Sequence, residues 1–183
     1  QAIKARGVMK RDVDYVVTNA AGCGSGMKEY PLLFLGEPEE EEAQALAAKV
    51  KDLSLLLDEL GFTPPPPPRR PLRVAYHDAC HLAHAQGVRE APRRLLQAAG
   101  LEVLEPREWE LCCGSAGTYN LFQPEIAEAL GKRKAENLKA TGADLVATGN
   151  IGCLTQIQAY LDLPVLHTAE LLALLYEGKD PLA

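Results

Sequence analysis

The chain has 183 residues, with 19 Lys plus Arg against 25 Asp plus Glu, a formal net charge of −6 and a pI near 5.3. An apolar fraction of 47% beside 24% charged residues is a globular balance and excludes a wholly disordered chain. The acidic excess argues against nucleic acid as the main partner, and 5% aromatic residues argue against base stacking. No signal peptide is expected from the residues given, and no apolar run approaches the ~20 residues of a membrane span.

The chain opens at Gln1 within a helical pattern over residues 1–12, which reads as a fragment or a processed chain. A strand is predicted over Val13–Thr18, ending in the turn Asn19-Ala20-Ala21-Gly22-Cys23-Gly24. An acidic helix is expected from Glu37 to Glu59, with Leu46, Leu53, Leu56, Leu57 and Leu60 at helical spacing and Glu39 to Glu42 at its start. Pro64 to Pro68 then form a stiff extended spacer. Beyond it, strands are predicted at 72–76, 101–104, 144–148 and 165–166. Helices are predicted at 88–99, 125–140, 154–160 and 169–176, with Gly100 and Gly142 as stops. Such alternation predicts an α/β fold: a parallel sheet with covering helices, built from Rossmann-like strand–helix repeats.

Residues 14–23 (DYVVTNAAGC) align without gaps on residues 144–153 (DLVATGNIGC), both ending in Gly-Cys. Either the match is a chance likeness of two strands, or the chain is one and a half repeats. The second choice divides it into 1–62 (the C-terminal half of a first repeat), 63–71 (a proline-rich linker) and 72–183 (a complete second repeat).

The five cysteines are Cys23, Cys80, Cys112, Cys113 and Cys153. Their odd number and the adjacent Cys112-Cys113 pair speak against a secreted disulfide scaffold and for reduced thiols in the cytoplasm. The last four fall in loops at the carboxyl ends of predicted strands, the edge where parallel sheets gather their ligands. Four thiolates suit an iron–sulfur cluster or zinc, and the plainer alternative is cysteines that merely pack. His77 and His81 stand four apart and His81 and His84 three apart, so on a helical turn they share a face. They either ligate a metal such as zinc, cap a helix or donate to sulfur. Asp78 suits a cap or a histidine partner, Lys28 and Arg133 solvated charges, and Trp109 and Tyr119 a shield around the Cys-Cys-Gly loop.

Cys80, 31 residues, Cys112-Cys113-Gly114, 36 residues, then Asn150-Ile151-Gly152-Cys153 resembles the cysteine-rich CCG domain, whose form is Cys, Cys-Cys-Gly, Cys-x-x-Cys. That family occurs as tandem domains in heterodisulfide reductase, in lactate-utilisation iron–sulfur proteins and in the iron–sulfur subunit of glycolate oxidase. The wording of residues 76–81, 150–154 and 19–24 is most similar to the glycolate oxidase type. Asn150 stands where the family has the first Cys of its last pair, so this unit offers four thiols. Ala20 takes the matching place before Cys23, where a cluster is not expected.

The resemblance implies an electron-transfer subunit with a [4Fe–4S] cluster on Cys80, Cys112, Cys113 and Cys153. Cys23, His77 and His81 are secondary candidates, zinc is the alternative metal, and no catalytic residue is implied. It also implies a flavin-containing oxidase subunit as partner, an upstream ferredoxin-like iron–sulfur domain, and a place in the cytoplasm with peripheral attachment at the inner face of the membrane. The competing functions are a thiol/disulfide redox subunit of the heterodisulfide reductase kind and a zinc-binding or metal-free interaction module.

Overall fold

The computed structural model describes residues 12–183, so the expected helix over 1–12 lies, apart from its last residue, outside the described residues. Two parallel sheets organise the rest. The smaller pairs β1 (Val16–Thr18) with β2 (Val50–Asp52). The larger contains β3 (Arg73–His77), β4 (Glu102–Leu104), β5 (Leu145–Thr148) and β6 (Val165–His167), in the order β4-β3-β5-β6.

Helices α1 (Ala21–Lys28), α2 (Tyr30–Leu33), α3 (Glu40–Lys49) and α4 (Leu53–Leu60) accompany the first sheet. A π-helical turn (His81–Ala85), α5 (Glu90–Ala98), α6 (Tyr119–Phe122), α7 (Pro124–Lys139), α8 (Ile151–Gln158) and α9 (Thr168–Tyr176) accompany the second. Strands β3 and β5 are buried on both faces, as parallel strands between helical layers are. Ala75 and Val146 face one core with Leu138, Ile157, Cys113 and Cys153. Val74, Tyr76, Leu145 and Ala147 face the other with Leu95, Leu96 and Leu171. The α/β parallel fold read from the alternation is therefore present.

Three local expectations are corrected. The acidic helix over Glu37–Glu59 is two helices, α3 and α4, with β2 between them. The leucine period runs across the break and hides it, but β1 needs an edge to pair with and Val50 suits a strand. Asp52 then restarts the helix by accepting from the Ser54 N–H at 2.9 Å.

The turn expected over residues 19–24 is the start of α1. Gly24 serves close approach: a Cβ there would lie 2.7 Å from Thr18 Oγ1 and 2.8 Å from Gln86 Nε2. Cys23 is thus on a helix. Cys153 likewise lies in the first turn of α8 rather than in a loop. The repeated segments share this course, each a parallel strand followed by a helix with the cysteine at its third residue. The proline run lies against the larger sheet's helices, with Pro67 beside Gly100.

Burial raises the pKa of Asp52 despite the hydrogen bonds from Ser54. A carboxyl with a raised folded pKa favours the folded state below its unfolded value, and this advantage is lost as pH rises through the folded value. Asp52→Asn keeps the capping oxygen and removes that titration. Unfolding measured from pH 3.5 to 7 is expected to show a flatter pH dependence in the variant, with stability at pH 7 at least equal to the parent's.

Candidate metal centre

The carboxyl ends of β3 and β5 meet the loop after β4, and there four thiols gather. Cys80 enters the π-helical turn after β3, Cys112 and Cys113 sit in the loop before α6, and Cys153 opens α8. Side-chain hydrogen bonding links them in a row, Cys80 to Cys112, Cys112 to Cys113 and Cys113 to Cys153. All are free thiols, with Cys113 and Cys153 buried and Cys80 and Cys112 half-buried.

The thiols are biased in alternate directions along the row. Donation from Cys113 and Cys80 lowers the pKa of Cys112, and the Gly114 N–H adds a contact at 3.4 Å. Cys153 is lowered by Cys113, by the adjacent His77 and by Asn150, whose Nδ2 donates to Sγ at 3.3 Å. Cys113 is pushed up by its bonds to Cys112 and Cys153, and Cys80 by its bond to Cys112 and by burial. Cys112 and Cys153 are thereby biased toward the thiolate, the form that ligates a metal.

His77 joins this nest of thiols. It ends β3, is 1% exposed, and one of its ring nitrogens lies within 4.8 Å of the sulfurs of Cys113 and Cys153, themselves mutually within that span. The shared helical face expected for His77 and His81 is absent, because His77 is on the strand and His81 in the following turn. His81 is exposed, with Nδ1 3.5 Å from Cys80 Sγ. His84 stacks on Trp109 with ring centroids 5.6 Å apart, and the Arg89 guanidinium lies 3.8 Å from the Trp109 ring. Cys23 is exposed on α1 and is not in the buried histidine–cysteine group.

Two supporting groups escape sequence reasoning. Arg93 on α5 is buried and uses all five N–H donors. Two go to Asp78 at 2.9 and 2.6 Å, two to Glu105 at 2.6 and 2.8 Å, and one to the Arg89 carbonyl at 2.6 Å. Asp78 is therefore an ion-pair partner, not a cap.

Lys134 on α7 is fully buried and donates to the carbonyls of Glu108 at 2.7 Å and Trp109 at 3.2 Å, and burial lowers its pKa. Its signal was available: Ala127, Gly131, Lys134, Ala135 and Leu138 form one buried stripe of α7. Glu108 itself has φ +49 and is held by Arg133 and Asn137. Arg133 is exposed but paired rather than simply solvated. These contacts pin the loop that delivers Cys112 and Cys113.

Gly114 shows why the cysteine pair is followed by glycine. Its φ is +89, and a Cβ there would stand 2.4 Å from the Ala127 carbonyl oxygen of α7. Gly114→Ala is expected to cost about 3 kcal/mol from the unfavourable φ and the clash. Thermal unfolding and metal content should fall together. An unaltered melting temperature would show that the loop does not need this approach.

The cysteine-rich (CCG) domain family matches residues 74–158. The probable glycolate oxidase iron-sulfur subunit of Bacillus subtilis is 38% identical over 171 residues, covering 88% of this chain and 38% of that protein. Lactate utilization protein A of Oceanobacillus iheyensis is 35% identical over 176 residues, covering 92% of this chain and 72% of that protein. One subunit of the fumarate reductase (CoM/CoB) of Methanothermobacter marburgensis is 34% identical over 173 residues, covering 89% of this chain and 32% of that protein.

Proposed function

The chain belongs to the cysteine-rich CCG family that includes lactate utilization protein A, and from that premise we propose that it is the iron–sulfur part of an oxidoreductase, relaying electrons in a complex that oxidises glycolate or another 2-hydroxy acid. The row of four linked thiols carries the proposal. Cys80, Cys112, Cys113 and Cys153 are the proposed ligands of a [4Fe–4S] cluster, with Cys23 and His81 outside it. A bound cluster takes up and releases single electrons.

The protein's own part is to hold and shield the sulfurs. The Gly114 N–H and the Asn150 amide donate to sulfur, which favours the charged, ligating form. The Lys134 ammonium acts electrostatically on Cys113 from below the loop.

The proposed partner is a flavin-containing oxidase subunit, with a ferredoxin-like iron–sulfur domain upstream, in the cytoplasm at the inner face of the membrane. Exposed Leu121, Phe122, Ile126 and Ile151 on α6, α7 and α8 support a docking face at the thiol edge. Among the described residues, no helix is long and apolar enough to cross a membrane. The division into a half repeat (1–62), a linker (63–71) and a full repeat (72–183) belongs to the same proposal. The common strand–helix–cysteine course of residues 14–23 and 144–153 supports it.

Zinc is the second reading, and one observation favours it: donor atoms of His77, Cys113 and Cys153 within 4.8 Å is the spread of ligands around a single ion. Metal and acid-labile sulfide analysis of protein purified without oxygen decides between them. About four irons and four sulfides per chain support the relay, whereas stoichiometric zinc without sulfide overturns it.

A further inference from the structure

We propose that His77 is itself a ligand of the metal centre, binding through one imidazole nitrogen beside Cys113 and Cys153. The proposal rests on the iron–sulfur reading above and puts a nitrogen donor in the place of one of its four thiols. Both ring nitrogens of His77 are buried and neither makes a hydrogen bond of normal geometry; the polar group that bears on the ring is the Cys153 thiol, itself a candidate ligand. A buried polar atom left in that state costs on the order of 1–3 kcal/mol, so it is retained where something outside the chain satisfies it. The surroundings name that something. His77 shares its small buried volume with two cysteine sulfurs, with all three donor atoms within 4.8 Å. Imidazole and thiolate together are a metal-ligand set.

The second ring nitrogen has a neighbour suited to it. His77 on β3 is in register with Thr148 on β5, on the sheet face that also carries Ala75 and Val146. Thr148 Oγ1 is buried and also without a partner. The two are not hydrogen-bonded to each other in this structure; a side-chain adjustment on ligation would let the hydroxyl accept the remaining imidazole N–H, the orienting role that outer contacts play for metal-bound histidines. No such case exists for His81 or His84, which are exposed. With His77 bound, the four corners of a cubane need three of the four thiols. Cys113 and Cys153 adjoin the imidazole, and one of the half-buried pair, Cys80 or Cys112, is then left out of the ligand set.

The test is pulsed electron paramagnetic resonance on the reduced, iron-loaded chain, at natural abundance and with 15N-labelled histidine. The expected result is a nitrogen coupling that changes with the label, is lost in His77→Gln and survives in His81→Gln. Full iron and sulfide without a histidine coupling, or a coupling that persists in His77→Gln, overturns the proposal and leaves the iron–sulfur reading standing. Absence of iron and sulfide from the parent protein overturns both.

His77→Cys covers the case in which the glutamine variant fails to fold. It is expected to keep iron, lose the coupling and titrate at a lower reduction potential, because exchanging histidine for cysteine ligands lowers the potential of such centres. A potential equal to the parent's refutes ligation by His77.

Discussion

Serine in place of Cys113 is expected to leave a folded protein that retains neither iron nor sulfide. Cys113 is the middle of the thiol row, bonded to Cys112 on one side and Cys153 on the other, and it is one of the three buried donors that include His77. Serine fits the same space, but its hydroxyl stays protonated near neutral pH and is a poor substitute for a thiolate. The backbone around it has its own support, from Lys134 on the carbonyls before the pair and from the approach of Gly114 to α7 after it. Far-ultraviolet circular dichroism is therefore expected to match the parent, with metal-free stability within about 1 kcal/mol. Cys23→Ser is the control: its thiol is exposed and apart from the nest, so iron and sulfide should remain at the parental count. Full iron in the Cys113→Ser protein would remove Cys113 from the ligand set.

Much of the fold was legible because its signals are local. Strand runs such as Leu145–Thr148 and the long α7 carry their period and stops in a few adjacent residues. The thiols were legible for another reason: a parallel sheet brings its strand ends to one edge, so cysteines distant in sequence converge. What stayed hidden depends on pairing partners. Nothing within residues 46–60 marks a strand at Val50–Asp52 until β1 is seen to need it. Residues 19–24, with Gly22 and Gly24, read as a turn, because a helix that a glycine such as Gly24 opens to a close neighbour looks, in one dimension, like a loop. Arg93 sits amid charged neighbours on α5, and only the fold shows that Asp78 and Glu105 converge on it. His77 looked like the first of three helical histidines, yet β3 continues one residue further than the strand pattern suggested and turns its imidazole inward.

Removal of the Arg93 side chain is expected to produce the largest loss of stability of any single change proposed for this chain. Arg93→Met leaves the Asp78 carboxylate, whose side chain is 2% exposed, with only the more distant Arg89 Nε at 3.7 Å. Breaking one side of a buried pair costs about 3–5 kcal/mol, chiefly because a charge is left buried without its partner. For a chain of this size that corresponds to a fall in melting temperature of roughly 10 °C. Arg93→Lys keeps the charge but lacks the planar fork that binds two carboxylates at once, so an intermediate loss is expected.

The pH dependence should change as well. Arg93 lowers the pKa of Glu105, so Glu105 contributes stability above its unfolded value, and this is lost as pH falls through the folded one. In Arg93→Met that share of the acid sensitivity should disappear. Arg93→Met combined with Asp78→Asn separates the two origins of the loss: if a stranded charge is the main cost, the double variant is more stable than Arg93→Met alone. A double variant that falls further would place the cost in lost packing of the arginine stem against Tyr76, whose ring lies 4.9 Å from the guanidinium. Because Asp78 directly follows His77 and precedes Cys80 by two residues, iron content is expected to fall in Arg93→Met and to recover in part in the double variant.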